Sequence, residues 1–430
     1  MAAELHSSGW VLVAWILGGI ITLFGALCNA EVAGLLAATG GEYVYYKKVY
    51  SQFFAFLFGW SLFAVIQTAA ISSLAYIFAQ SLHTIVPVPE LFPSLSGLNI
   101  AGIFYPFQDF SVKLTAIAII ILLTWVNSKG VRTGAGLSNV VLILIFAGIL
   151  LIICFGLTSK QAVISRSIEF SSGIKSRIGI SNLFTAMLSA FWAYQGWATI
   201  GYIGGEVRDA KNTIPKGITF GVFLIIALYM LVNITYLAVL PVSYLMDIQA
   251  SNKIAAIEAV RAFWGNNGAL FMSVIILITT LGGTNATILV SARPYYAMAT
   301  EGMFFRSIAR VNRHHVPVNS LKAQCIWACL LVLSGSFDQL TDMIIFVVFF
   351  YYGATTLCVF ILRKKYPDAD RPFKVWGYPI VPAIVLVFCA VLLVNTFMAR
   401  PREALFGLVL VGTGVPVYWK FRKKKMPISQ

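Results

Sequence analysis

The chain has 430 residues, 59% of them hydrophobic and 11% charged, with a formal net charge of +15 and a mean hydropathy of +0.85. So little charge cannot cover the surface of a soluble protein of this size, and disordered chains and disulfide scaffolds are excluded as well. What remains is an all-α polytopic membrane protein.

A bilayer core takes about 20 apolar residues per helix. In chain order, apolar stretches predict membrane helices at 10–38, 53–81, 112–127, 136–157, 182–204, 217–240, 268–298, 321–336, 343–362, 378–398 and 403–419, forming one transmembrane domain over 1–430. Between the second and third lies 82–110, rich in proline and read as an irregular outer cap. Between the sixth and seventh, Ile254, Ile257, Val260 and Phe263 recur at helical spacing, which predicts a short amphipathic helix on the outer face. Between the ninth and tenth, 363–379 is a charged, proline-punctuated break. All six cysteines fall inside apolar stretches with no metal-binding spacing, so they read as packing residues and no metal or cofactor is expected.

The surplus positive charge sorts by side. Lys47, Lys48, Lys129, Arg132, Arg208, Lys211, Lys216, Arg306, Arg310, Arg313, Lys322, Arg363, Lys364, Lys365, Arg371, Lys374 and the C-terminal cluster 420–425 all lie on one set of alternate connections, 21 of the 31 Lys and Arg. The positive-inside rule puts that set and the C-terminus in the cytoplasm and, with eleven spans, the N-terminus outside, in a cell (plasma or inner) membrane. The charge is therefore topology, and no nucleic-acid partner is implied. No signal-type charged region precedes the first stretch, the first positive residue being Lys47.

No HExxH, GxSxG or phosphate-loop motif is present, and the four histidines (His6, His83, His314, His315) lie near helix ends or in loops, so no enzyme is expected. The fifth stretch is the most informative. Phe191, Trp192, Tyr194 and Trp197 surround Gln195 and Gly196, with Gly201, Gly204 and Gly205 following. A helix broken at mid-bilayer exposes carbonyls on one side of the break and amides on the other, a site suited to a zwitterion. The carbonyls of 191–194 would accept from an ammonium group. Close helix packing is the competing reading of these glycines. Intramembrane charges are expensive unless paired, and Glu31, Glu206 and Arg293 are read as a gate or as a structural charge network. Gly282, Gly283, Thr284 and Asn285 interrupt the seventh stretch and either line a cavity or bond between helices.

FGALCNAEVAGLLAATGGEYVYYKK (24–48), FWAYQGW with GEVRDAKNTIPKGI (191–218), RPYYAMATEGMFF (293–305) and RPFKVWGYPIVP (371–382) together resemble the amino acid-polyamine-organocation transporters, especially bacterial relatives of the L-type amino acid transporters. The resemblance spans nearly the whole chain. It implies a LeuT-type fold, an inverted repeat of five helices and five followed by two more. Trp192 then matches the aromatic that closes over the amino acid, Ala193 and its neighbours the unwound carbonyls, and Gln195 the edge of the side-chain pocket; Asn285 joins the expected substrate-binding set with Phe191, Tyr194 and Gly196. In the family a glycine-rich first helix precedes the segment that starts here, so eleven of the usual twelve helices are expected, and either further sequence precedes Met1 or the chain is a truncated form.

Ile145 stands where sodium-independent members commonly place a lysine, which leaves the coupling ion open among sodium, protons and plain exchange. Segment 82–110 has no cysteine, so no disulfide-linked heavy chain is expected. The function expected is secondary transport of amino acids, neutral ones because no acidic residue is read at mid-depth, by alternating access across the lipid bilayer as a permease or antiporter. The alternative is a transport-inactive truncated homologue acting as a membrane sensor or scaffold.

Overall fold

The computed structural model describes residues 1–36, 40–98, 105–129, 132–170, 179–202, 207–250, 253–313, 316–334 and 337–423, and every regular element among them is helical. The long elements are α1 (Ser8–Leu35), the short α2 (Glu42–Val49), α3 (Gln52–Ile85), α4 (Phe110–Ser128), α5 (Arg132–Thr158), α6 (Ile180–Tyr194), α7 (Ala210–Val239), α8 (Val242–Ala250), α9 (Ala255–Thr300), α10 (Val318–Ser334), α11 (Phe337–Lys365), α12 (Ile380–Ala399), α13 (Pro401–Gly412) and α14 (Gly414–Lys423). Nine helical segments among the described residues are long and apolar enough to cross a bilayer. Two further apolar segments fall short of that length: α10 has 17 residues, and α6 stops after 15 where its helix breaks.

Helices that are apolar all round must bury that surface in protein or in lipid. In α3, 72% of the most apolar window is buried, against 22% in Val141–Thr158 of α5, so α3 belongs to the inner layer and α5 to the outer one. Large side chains such as Ile143, Val387 and Val394 accordingly face outward. Within α3 the residues Leu62–Ile66 form a π-turn. Such a turn shifts carbonyls out of the usual ladder, and side chains take them up: Tyr295 donates to the Leu62 carbonyl, Thr68 to Phe63 and Trp327 to Ala64, at 3.0, 2.7 and 2.8 Å.

The broken α6 opens a second run of helices that mirrors the first. Chain order pairs α1 with α7, α3 with the 266–300 part of α9, α4 with α10 and α5 with α11. Members of each pair are five spans apart, an odd number, so they run in opposite directions, the signature of an inverted repeat. The first three pairs pack directly on one another, α1 against α7 and α3 against α9 most extensively. The fold is the LeuT type.

Local departures from the predicted elements have local causes. The segment near 241–266 holds two helices, α8 and the start of α9, the latter set off from the rest of α9 by Gly265 at φ 65° and ψ −153°. The last stretch is divided into α13 and α14 around Thr413.

Candidate functional site

The α-helix of α6 ends at Tyr194, and Gln195 turns extended at φ −68° and ψ 154°. Gly196 follows at φ 115°, with open space where a Cβ would sit, so glycine is required there for backbone conformation and not for close packing. A 3₁₀ turn, Trp197–Tyr202, continues the segment. The break is at the predicted place, but its carbonyls are only partly free. Trp192 O accepts from the Gln195 N–H at 3.2 Å, and Ala193 O accepts from the Tyr229 hydroxyl at 2.9 Å.

Beside the break lies a cavity of about 400 Å³, within the range of small-molecule sites. Trp192, Ala193, Gln195 and Gly196 form one wall. Thr287 and Ser291 of α9, Leu62, Ile66 and Gln67 of α3, Tyr202 and Tyr229, and Tyr351 and Tyr352 of α11 form the others. The Thr287, Ser291 and Thr199 hydroxyls donate to backbone carbonyls at 2.8, 2.5 and 2.6 Å, which leaves their oxygens as acceptors. A second cavity, of about 430 Å³, shares Ala193, Gln195, Gly196, Thr199 and Tyr229 and reaches between Thr22 and the α7 glycines Gly217 and Gly221. Gln195 thus borders both spaces, presenting a carboxamide that can donate and accept.

Three expected site residues do not line the 400 Å³ cavity. Phe191 packs on Phe349 and Phe388, with ring centroids 4.5 and 5.5 Å away. Tyr194 packs edge-on against Trp15, to whose carbonyl its hydroxyl donates, and borders the second cavity. Asn285 is buried between helices, its Oδ1 accepting from Asn127 Nδ2 at 2.7 Å. Two residues on from Asn285 is about 200° around the helix, so Thr287 and Ser291, not Asn285, face the cavity. Gly282 has a packing role as well: a Cβ there would meet Val141 at 2.8 Å.

Of the expected charge network, the Glu31 end is the part the described residues show. Glu31 is gripped by Arg363, whose Nε and Nη2 donate to its two oxygens at 2.8 and 2.7 Å, and it accepts the Val375 N–H at 2.7 Å, with Arg371 Nε 3.5 Å away. Arg293 does not reach it; its guanidinium donates to its own helix at Leu289 O. Glu206, like Gly204, Gly205, His314 and His315, lies outside the described residues. Arg363 reaches Glu31 from the last turn of α11, and the 366–379 segment brings Arg371 and Val375 to it as well.

The expectation of a cavity without an acid is overturned as well. Glu42, the first residue of α2, lines the cavity wall at 3% exposure, with Asn29 Nδ2 donating to its Oε1 at 3.3 Å and, among the described residues, no hydrogen bond to its Oε2. Burial pushes its carboxyl up from 4.5 to about 7, against the smaller opposing effect of bonds from its own N–H and Asn29. In the sequence it follows the Gly40–Gly41 pair and reads as part of a cytoplasmic connection. The fold turns it inward because Tyr46 and Tyr50 anchor α2 on α11, donating to the Tyr351 and Ala354 carbonyls at 2.8 and 2.6 Å.

An interrupted helix at the wall of a largely apolar cavity that carries a few polar groups, inside a bundle of inverted repeats, is the arrangement of a membrane transporter. A family model described as amino acid permease matches residues 1–414, and the chain belongs to that family, within the amino acid-polyamine-organocation superfamily. It is 27% identical over 421 residues to a serine/threonine exchanger of Bacillus subtilis (strain 168), covering 97% of this chain and 90% of that one. It is 28% identical to the human large neutral amino acids transporter small subunit 2 over 96% of this chain and 74% of the relative, and 27% identical to the human Asc-type amino acid transporter 1 over 97% and 77%. The protein is a multi-pass membrane protein of amino acid transport.

Proposed function

We propose that the chain is a secondary transporter of neutral amino acids that works by alternating access around the break at 192–196. The observation that carries this reading is the contact between the interrupted α6 and the 400 Å³ cavity. Hydroxyl oxygens of Thr199, Thr287 and Ser291 offer acceptors to an ammonium group, Gln195 serves either end of a zwitterion, and Trp192 covers the side chain. The names of the relatives, an exchanger of serine and threonine and a transporter of large neutral amino acids, point to the same substrate class. The distribution of Lys and Arg supports a cytoplasmic C-terminus in the cell membrane. No disulfide-linked heavy chain is required, since 82–110 lacks cysteine.

Purified protein in proteoliposomes preloaded with unlabelled amino acid tests the reading. Labelled serine, alanine or leucine is expected to accumulate by exchange, while lysine and arginine are not; exchange of none of them, with the protein folded, overturns it in favour of a sensor or scaffold. W192A is expected to raise the apparent KM about tenfold, the equivalent of about 1.4 kcal/mol of lost aromatic contact.

A further inference from the structure

We propose that Glu42 is a proton-binding site of the transport cavity, protonated while it is enclosed as seen here and deprotonated when its end of the cavity opens to water. The proposal rests on the transport reading above and adds a coupling ion to it. A buried ionised carboxylate needs a cation or several donors, and among the described residues Glu42 has the Asn29 amide on Oε1, its own N–H nearby, and no hydrogen bond on the buried Oε2. The titratable groups around it are Tyr45 and Tyr46 on its own helix, Tyr202 on the 3₁₀ turn and Tyr352 on α11. None of these is cationic. The nearest carboxylate along α1, Glu31, is held by Arg363, and Lys47 of α2 points away to Glu301 at 2.8 Å. Among the described residues, then, neutralisation of Glu42 comes from a proton. Its carboxyl, held near 7, can change state at physiological pH. One proton is taken from water when the site closes and returned to water when it opens, with no other change of bonds.

Exchange of labelled serine, measured in proteoliposomes at equal pH on both sides, reads the linkage. Wild-type exchange is expected to change with a midpoint near neutrality, approaching about tenfold per pH unit on the alkaline limb. E42Q, which cannot titrate, is expected to show no such slope, and E42D to keep a slope with a displaced midpoint. A flat wild-type profile, or an E42Q profile that copies the wild-type slope, overturns the proposal. If the wild type exchanges no amino acid at any pH, the transport reading has failed on its own, and infrared spectroscopy still decides Glu42. A neutral-carboxyl band that disappears with a midpoint near neutrality and is missing from E42Q supports the proton site; its absence from acid to neutral pH rejects it. Should E42Q not fold, an E42D midpoint equal to that of the wild type is the overturning result.

Discussion

Glu31 and Glu42 stand eleven positions apart and are equally buried, each 3% exposed, yet their surroundings are opposite. Around Glu31 the molecule supplies a bidentate Arg363, a second guanidinium and a backbone N–H. Around Glu42 the described residues supply the Asn29 amide, its own N–H and a shell of tyrosines. The first arrangement clasps α1 to the end of α11 and the segment leading into α12. The second leaves an acid at a cavity wall with no cationic side chain beside it among the described residues. Burial alone therefore says nothing about role; the donors around a carboxylate decide whether it is a fastening or a titrating group.

Removing Arg363 is the severest test of that contrast. R363A strands Glu31 with Arg371 at salt-bridge range and one N–H, and losing one partner of a buried pair costs about 3–5 kcal/mol. The melting midpoint in detergent is expected to fall by several degrees, with E31Q falling less because it removes the buried charge as well. Equal melting of R363A and wild type would mean that the clasp is ornamental.

Glu42 is expected to behave in the reverse sense, through pH. Its folded value, about 7, lies above the ordinary 4.5, so the folded state holds a proton that the unfolded state has released between those two values. The stabilisation is complete below about pH 4.5, is lost as pH rises towards about 7, and amounts to roughly 3 to 3.5 kcal/mol at most. Wild-type melting is therefore expected to decline relative to E42Q across that window and to run parallel above it. A constant difference at every pH breaks the contrast with Glu31.

Much of this was legible in the residues, and what was not has a geometrical reason. The helical class and the break at Gln195–Gly196 follow from local properties, apolar run length and a polar residue beside a glycine amid aromatics. Glu31 was readable as a charge in need of a partner, but Arg363 and Arg371 are more than 300 positions away, and only the chain fold brings them near. Glu42 was hidden for the same reason, since the tyrosines that pin α2 to α11 act on a residue that belongs to a charged connection in one dimension. Asn285 was misplaced by rotation within a helix, because the interruption of an apolar run marks a polar site without saying which face it serves.

That last point yields the smallest expected effect and the finest test. N285A removes the acceptor of Asn127 Nδ2, but the same amide also donates to the Leu123 carbonyl at 2.9 Å and keeps one partner. The loss should sit near about 1 kcal/mol, the net worth of one buried hydrogen bond. Serine exchange by N285A is expected to keep the wild-type KM. T287V, two residues along and on the cavity face, should do the opposite, raising KM with little change in melting, because its hydroxyl oxygen is an acceptor at the cavity wall. If N285A raises KM while T287V leaves it alone, the substrate lies on the other face of α9, and the wall assigned to Glu42 must be redrawn with it.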